Sequence, residues 1–327
     1  MIARTLALLL SMLAASAAQA AQAAQAGAQA RSAPASQLPF VLSEIGPGVY
    51  AAIDGSEHKA GSNAGFVIGD DCVLVVDAFF NLDAARSLVA EIRRLTTKPI
   101  RYLVNTHYHV DHTGGDQALR DAGALIIAHR NVRSWIRPEN VHLLGDRITP
   151  ELRARIDRLP LPDLVTDTHL TIWLGSRKVV VEEVPGHTGG DLAIIVPDAG
   201  VVFTGDLLWR KIAPNLIDGS VREWLATDER LATMPRAAQI HYVPGHGSVA
   251  GLSDLENFRA YLIDLQRLVG VGRRSGLEGS ALVGSVKPRL KALYPDWAIS
   301  DRSATAEIFY MDQELSGTKR RPVPAAQ

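Results

Sequence analysis

One cysteine, Cys72, stands in 327 residues. That scarcity excludes an intramolecular disulfide and any zinc or iron–sulfur site built from several cysteines. Charge of one sign is missing as well: 34 basic against 35 acidic side chains leave a formal net charge of -1. A balance this even argues against capture of nucleic acid or of an anionic membrane surface. Beyond the first residues no segment stays apolar for the ~20 residues that span a bilayer, so no stable membrane insertion is expected of the mature chain. What is present is a 47% hydrophobic composition, enough for a sizeable core in one large or two modest domains. Ten histidines are also present, several of them set among aspartates.

Residues 1–20 read as a secretory signal peptide: Arg4 is the positive region, Leu6 to Ala15 the apolar stretch, and Ala18-Gln19-Ala20 the small-x-small cleavage site. Export to the periplasm is the expectation. An Ala/Gln-rich linker at 21–37, without aromatic anchors, is expected to be disordered. The folded domain is expected over 38–313, followed by a flexible tail at 314–327. Strands are read at Val49–Ile53, Ala64–Ile68, up to Asp77, at 100–106, at Ala124–Ala128, Lys178–Glu183, Asp191–Val196, Val201–Thr204 and Gln239–Val243. Helices are read at Ala84–Leu95 with Asp83 as its cap, Val221–Thr233, Asp254–Val269, and Ala281–Leu293 interrupted by Pro288. Residues near 130–165, charged and rich in proline, read as an inserted flap, a place where specificity is often carried.

The most informative segment is NTHYHVDHTGGD, residues 105–116, directly after a strand. It brings His107, His109, Asp111 and His112 within six residues. A turning backbone can aim the first two at one ion and the last two at another. Imidazole nitrogen and carboxylate oxygen are zinc donors, with water completing the shell. Three further strand-end residues join them: His187 in VPGHTGGD, Asp206 in FTGDLLW and His246 in YVPGHG. The set closes on two ions, with His107, His109 and His187 on one, Asp111, His112 and His246 on the other, and Asp206 between them.

These motifs resemble the metallo-β-lactamase superfamily over roughly Val41 to Leu268, with the HxHxDH signature complete. The resemblance implies an α/β fold, an αββα sandwich of two mixed β-sheets with helices on both outer faces and the site at one edge. It implies two Zn²⁺ per chain, with iron or manganese accepted by the same donors. It does not specify a substrate, since the superfamily hosts many chemistries. Members that are zinc β-lactamases with a cysteine in the second metal site differ here. Asp206 takes that cysteine's place and Trp209 the place of a carboxylate-binding lysine.

The leading reading is an exported zinc hydrolase of a small ester, lactone, thioester or amide-like substrate, with hydroxide between the ions as nucleophile and Asp111 orienting it. The alternatives are a β-lactamase, an iron-dependent redox member such as a persulfide dioxygenase, and a non-catalytic metal-binding accessory protein. Asp77, Thr113, Thr188 and Thr204 are candidates to orient the ligands. Trp135, Trp209, Arg210, Lys211 and Asn215 are candidates to contact a small-molecule substrate. His129, His142 and His169 have no partner in the pattern and read as core or surface residues.

Overall fold

A computed structural model describes residues 38–324. The expected signal peptide and linker lie outside these described residues. Alternating and continuous apolar runs form two sheets. The first holds β1 (Phe40–Gly46), β2 (Val49–Asp54), β3 (Ala64–Ile68), β4 (Val73–Val76), β5 (Ile100–Val104), β6 (Leu125–His129) and β7 (Leu164–Thr166), in that spatial order. Its strands pair antiparallel from β1 to β4 and parallel from β4 to β7. The second holds β8 (His169–Leu174), β9 (Arg177–Glu183), β10 (Leu192–Val196), β11 (Val201–Trp209) and β12 (His241–His246), with only β11 and β12 parallel. Both sheets are mixed, as expected.

The inner faces of the sheets share one core, in which Val67, Leu74, Val76 and Val104 from the first meet Val181, Ile194, Phe203 and Val243 from the second. Cys72 is buried in that core and takes no part in the ligand cluster. Outside the first sheet lies α1 (Leu82–Leu95), which buries Ala84, Ala85, Leu88, Val89 and Ile92. Its cap is Asn81, whose side chain accepts from the Asp83 N–H; Asp83, expected as the cap, is instead in the first turn. An asparagine and an aspartate two positions apart, each a good cap, make the sequence ambiguous there.

Against the second sheet pack α7 (Val221–Ala232), α8 (Leu252–Arg274), α9 (Gly279–Leu293) and α10 (Asp301–Ser316) around Trp224, Phe258, Tyr261, Leu290 and Ile308. The α9 helix continues through Pro288 rather than breaking there. Helix α10 and strands β1, β7 and β8 have no counterpart in the sequence reading. The α10 helix passes through 314, where the flexible tail was expected to begin. Beyond it the chain is tied down, since Lys319 Nζ donates to the Gly219 carbonyl at 2.7 Å and Arg321 Nη2 pairs with Glu223 at 2.6 Å.

The inserted flap is three short helices, α4 (Arg130–Trp135), α5 (Pro138–Leu144) and α6 (Pro150–Ile156), around a small core of Tyr108, Val132, Trp135, Ile136 and Ile156. No helix among the described residues is long and apolar enough to cross a membrane.

Candidate metal centre

The strands deliver the ligands, and the backbone immediately after each strand aims them. After β5 the chain stays extended through His109 (φ -59°, ψ 140°) and then winds into the single turn α2 (Val110–Thr113) and the short helix α3 (Asp116–Asp121). His112 N–H donates back to the His109 carbonyl at 3.0 Å. That change of conformation points His107 and His109 one way and Asp111 and His112 another. Strand β11 runs past Thr204, where its expected end lay, and bulges on either side of Gly205 against β12. The bulges carry Asp206 and His246 to the same edge. Close approach there requires glycine: a Cβ at Gly245 would sit 1.8 Å from Asp206 Oδ1, and one at Gly205 (φ +51°) would sit 2.4 Å from Thr106 Oγ1.

Two candidate donor sets come together: His107, His109, His187 and Asp206, and Asp111, His112, Asp206 and His246, each with its donor atoms within 4.8 Å of one another. The two oxygens of Asp206 divide between them. Oδ2 lies 3.2 Å from His187 Nε2 and 3.8 Å from His107 Nε2. Oδ1 lies 3.0 Å from His112 Nε2 and 3.4 Å from His246 Nε2. Asp111 Oδ2 completes the second set, 3.2 Å from His246 Nε2. Bonds of about 2 Å from a zinc ion to tetrahedral donors put those donors roughly 3.3 Å apart.

The donor atoms also pass a test of fit. His107 Nε2, His112 Nε2, His246 Nε2 and Asp206 Oδ1 are buried without a hydrogen-bond partner, an arrangement that costs free energy unless something is bound between them. His109 Nδ1 and His187 Nε2 face each other at 2.9 Å. Burial and the neighbouring imidazoles depress His107 and bring His187 down to about 3, so both are neutral and ready to ligate. Burial would also depress His246, but the Asp206 and Asp111 carboxylates outweigh it and hold that ring up to about 9. A cation in the second set would take the place of that proton.

Asp77 orients a ligand in each set. Its Oδ2 accepts from His112 Nδ1 at 2.8 Å and from Thr106 Oγ1 at 2.8 Å, and Thr106 Oγ1 in turn lies 3.0 Å from His107 Nδ1. Asp77 does this from φ +57°, an uncommon conformation for a residue other than glycine. The three threonines act on backbone and turns rather than on ligand rings. Thr113 Oγ1 donates to the His109 carbonyl, Thr204 Oγ1 to the Val243 carbonyl, and Thr188 Oγ1 to Asp191, which also accepts from the Gly186 and Thr188 N–H groups around His187.

Three orienting residues escaped the sequence reading. Asp218 accepts from His109 Nε2 at 3.3 Å and from the Tyr108 hydroxyl. Asn140, on flap helix α5, accepts from the Val110 N–H at 2.8 Å and donates to the Tyr108 carbonyl at 2.7 Å. Asn63 donates to the Pro244 and Gly247 carbonyls at 2.8 and 2.7 Å and so fastens the His246 turn. Their signal was slight: each is a single polar residue in a loop or short helix, far along the chain from its partner.

The candidate substrate contacts separate. Trp209 stacks on His246, ring centroids 4.1 Å apart, beside the metal centre. Asn215 follows in the next loop and accepts from the Ile217 N–H. Lys211 is exposed. Arg210 is committed to Asp254 at 3.0 Å and to Ser248. Trp135 is buried against Tyr108, and its indole N–H donates to the Val323 carbonyl at 2.6 Å, so it belongs to the flap core rather than to an open wall. His129 is buried and accepts from the Asn131 N–H, while His142 and His169 lie outside both donor sets.

A two-set His/Asp centre at the edge of an αββα sandwich defines a class of metal-binding protein. The profile of the metallo-beta-lactamase superfamily matches residues 59–246, more than half of the chain, and the chain belongs to that superfamily. Among curated relatives, a hydroxyacylglutathione hydrolase of Shewanella sp. is 27% identical over 64% of this chain and 73% of its own. One of Methylococcus capsulatus is 28% identical over 42% of this chain and 46% of its own. For several such relatives the match spans about half of their length. A solved metallo-beta-lactamase from Pontibacter korlensis shares the fold with a TM-score of 0.55 and 21% identity, over 68% of this chain and 99% of its own. One from Pseudomonas aeruginosa, in a mono-zinc form, gives a TM-score of 0.54 and 24% identity over 68% and 94%.

Proposed function

We propose that the protein is a metal-dependent hydrolase that holds two divalent ions and cleaves an acyl bond of a thioester or ester. The observation that carries this is Asp206, whose two carboxylate oxygens face two separate histidine sets. The all-nitrogen-and-oxygen donor set suits zinc, and also iron or manganese. Ions held there would supply Lewis acidity and a water whose pKa is lowered toward ~7.

The chain's own residues set the direction of approach. His107, His109 and His187 have side chains at most 2% exposed, whereas Asp111 is 30% and His246 17% exposed. Water and substrate therefore reach the centre from the Asp111–His246 side. Asp111 stands where its carboxylate can orient the attacking water and accept its proton. In the reaction, oxygen of water bonds to the acyl carbon, the carbon–sulfur or carbon–oxygen bond breaks, and the proton passes to the leaving atom. Trp209, stacked on His246, walls the approach.

The name hydroxyacylglutathione hydrolase, borne by several relatives, supports a thioester substrate. The apolar stretch and cleavage site in residues 1–20 support an enzyme that works outside the cytoplasm. The test is a parallel assay of the zinc-loaded protein with a hydroxyacylglutathione, a simple acyl ester, nitrocefin and bis-p-nitrophenyl phosphate. A kcat/KM of about 10⁴ M⁻¹s⁻¹ or more marks a working substrate class. We expect an acyl thioester or ester to reach it. The reading fails if only nitrocefin or the phosphodiester does, or if none does.

A further inference from the structure

Beside the metal centre lies a cleft of about 380 Å³ between the flap, the loop after β11, and helix α10. The α10 helix lies beyond the residues that the superfamily profile matches, so this wall belongs to the chain's own C-terminal part. Trp209 is common to the cleft and the ligand cluster, since it lines the one and stacks on His246 of the other.

We propose that this cleft binds the end of the substrate remote from the scissile bond, and that this end carries a carboxylate. The proposal rests on the hydrolase reading and names the substrate class of the same site.

The lining is rich in donors and nearly devoid of negative charge. Trp209 Nε1 is buried without a hydrogen-bond partner, a donor held ready at a cost unless a ligand accepts from it. Asn215 spends its carbonyl oxygen on the Ile217 N–H and leaves its NH₂ group as a second donor. Arg147 and Arg302 add two guanidinium groups. Arg302 has no ion pair among the described residues, and the neighbouring Asp301 is taken by Lys287 and Lys291. The Arg147 guanidinium donates to the Leu143 and Leu144 carbonyls and meets no carboxylate.

The one acid in the lining is Glu307. It is 1% exposed; Oε2 accepts from the Tyr261 hydroxyl at 2.8 Å and Oε1 has no partner. Burial lifts its pKa to about 8, so at pH 7 it is a neutral carboxylic acid. With Oε2 occupied as an acceptor, its proton sits on Oε1 and makes a further donor. Two cations with uncharged N–H and O–H donors complement an anion rich in acceptors. A carboxylate fits this description, because guanidinium groups recognise it with charge-assisted hydrogen bonds.

The test uses the metal-loaded protein and two readouts. Calorimetry measures binding of glutarate and of its neutral diamide to the native protein, Arg302→Ala and Trp209→Phe. Kinetics measure the ratio of kcat/KM for a glutaryl thioester to that for the thioester with a terminal carboxamide in place of the carboxylate, in the same proteins. We expect glutarate to bind the native protein and the diamide not to. Each substitution should weaken glutarate about tenfold and lower the kinetic ratio by a similar factor, the loss of one charge-assisted or buried hydrogen bond. Arg302 is exposed, so its replacement should leave the fold and the metal content intact. The proposal is overturned if glutarate does not bind, if it binds all three proteins equally (then the ions alone hold it), or if the diamide binds as well. If neither thioester is hydrolysed, the hydrolase reading fails while calorimetry still decides the cleft.

Discussion

The two halves of the ligand set are held in place by different forces. His107, His109 and His112, all from one strand-end segment, each have the ring nitrogen away from the cluster against a polar partner, namely Thr106, Asp218 and Asp77. The rings of His187 and His246, from the second half of the chain, meet aromatic walls, while the polar bonds of Asp191 and Asn63 reach only the backbone of their glycine turns. His187 lies 5.3 Å from Trp224 between ring centroids, and its Nδ1 has no hydrogen-bond partner; His246 stacks on Trp209. Hydrogen bonds fix the tautomer of an imidazole as well as its position. Packing fixes position alone. The first three rings should therefore respond to loss of single polar atoms, and the last two to changes in shape.

The residue common to both halves should give the largest effect. Asp206→Ala removes a donor from each set, and metal analysis should find fewer than two ions per chain with hydrolysis at background; full metal content would break the two-set assignment. Gly245→Ala comes next, because the added methyl would overlap Asp206 Oδ1. We expect metal loss comparable to that of D206A, and near-native metal binding would show that the β12 turn can move aside.

Asp77→Ala should weaken metal binding about 10–100-fold, as expected for loss of a partner that orients ligands. Chelator competition reads this directly, and Thr113→Ala, whose hydroxyl touches only the backbone carbonyls of Tyr108 and His109, is the control. Trp209→Phe keeps an aromatic ring over His246 and should change metal affinity less than about threefold. A loss as large as that of D77A would erase the distinction between polar and packed support.

The smallest effect concerns the helical side of the molecule. Glu307 has a folded pKa of about 8 against an ordinary value near 4.5 in the unfolded chain. The folded state therefore holds a proton that the unfolded state releases between these values. Its contribution to stability is complete below about pH 4.5 and is lost as pH rises toward 8. Glu307→Gln should flatten that part of the Tm-against-pH curve by a few degrees; an unchanged slope would show that Glu307 titrates normally.

The candidate metal ligands were legible because their spacing is local. Four of them share one turn after a strand, and the other three each end an apolar run in a glycine-containing segment. Strand and helix positions were legible for the same reason, to within a few residues. The misses have physical causes. The pattern of α10 is inverted in places, with Glu307 buried and Phe309 52% exposed, so it does not read as an apolar face. Asp218, Asn140 and Asn63 act on residues 109, 30 and 181 positions away along the chain. No window of sequence contains both partners. Trp135 was expected on the substrate wall because aromatic residues in a flap often face a cleft, but its N–H found the Val323 carbonyl instead.

The sequence by itself determined which atoms can bind metal, because donor chemistry belongs to the side chain and the turn after β5 is set by neighbouring residues. It also determined most of the strands, because their apolar runs are local, whereas the stacking of those strands in two sheets was implied by the resemblance to the superfamily. Tertiary structure alone decided how Asp206, expected between the sets, divides its oxygens, Oδ2 toward His187 and Oδ1 toward His112, since this depends on bulges in β11 read against β12. It alone decided which of the aromatic and basic residues border the centre. Trp209 does, Trp135 is sealed in the flap, and Arg210 is spent on Asp254. Such choices depend on which buried polar group finds a partner, and that is settled only when distant segments meet.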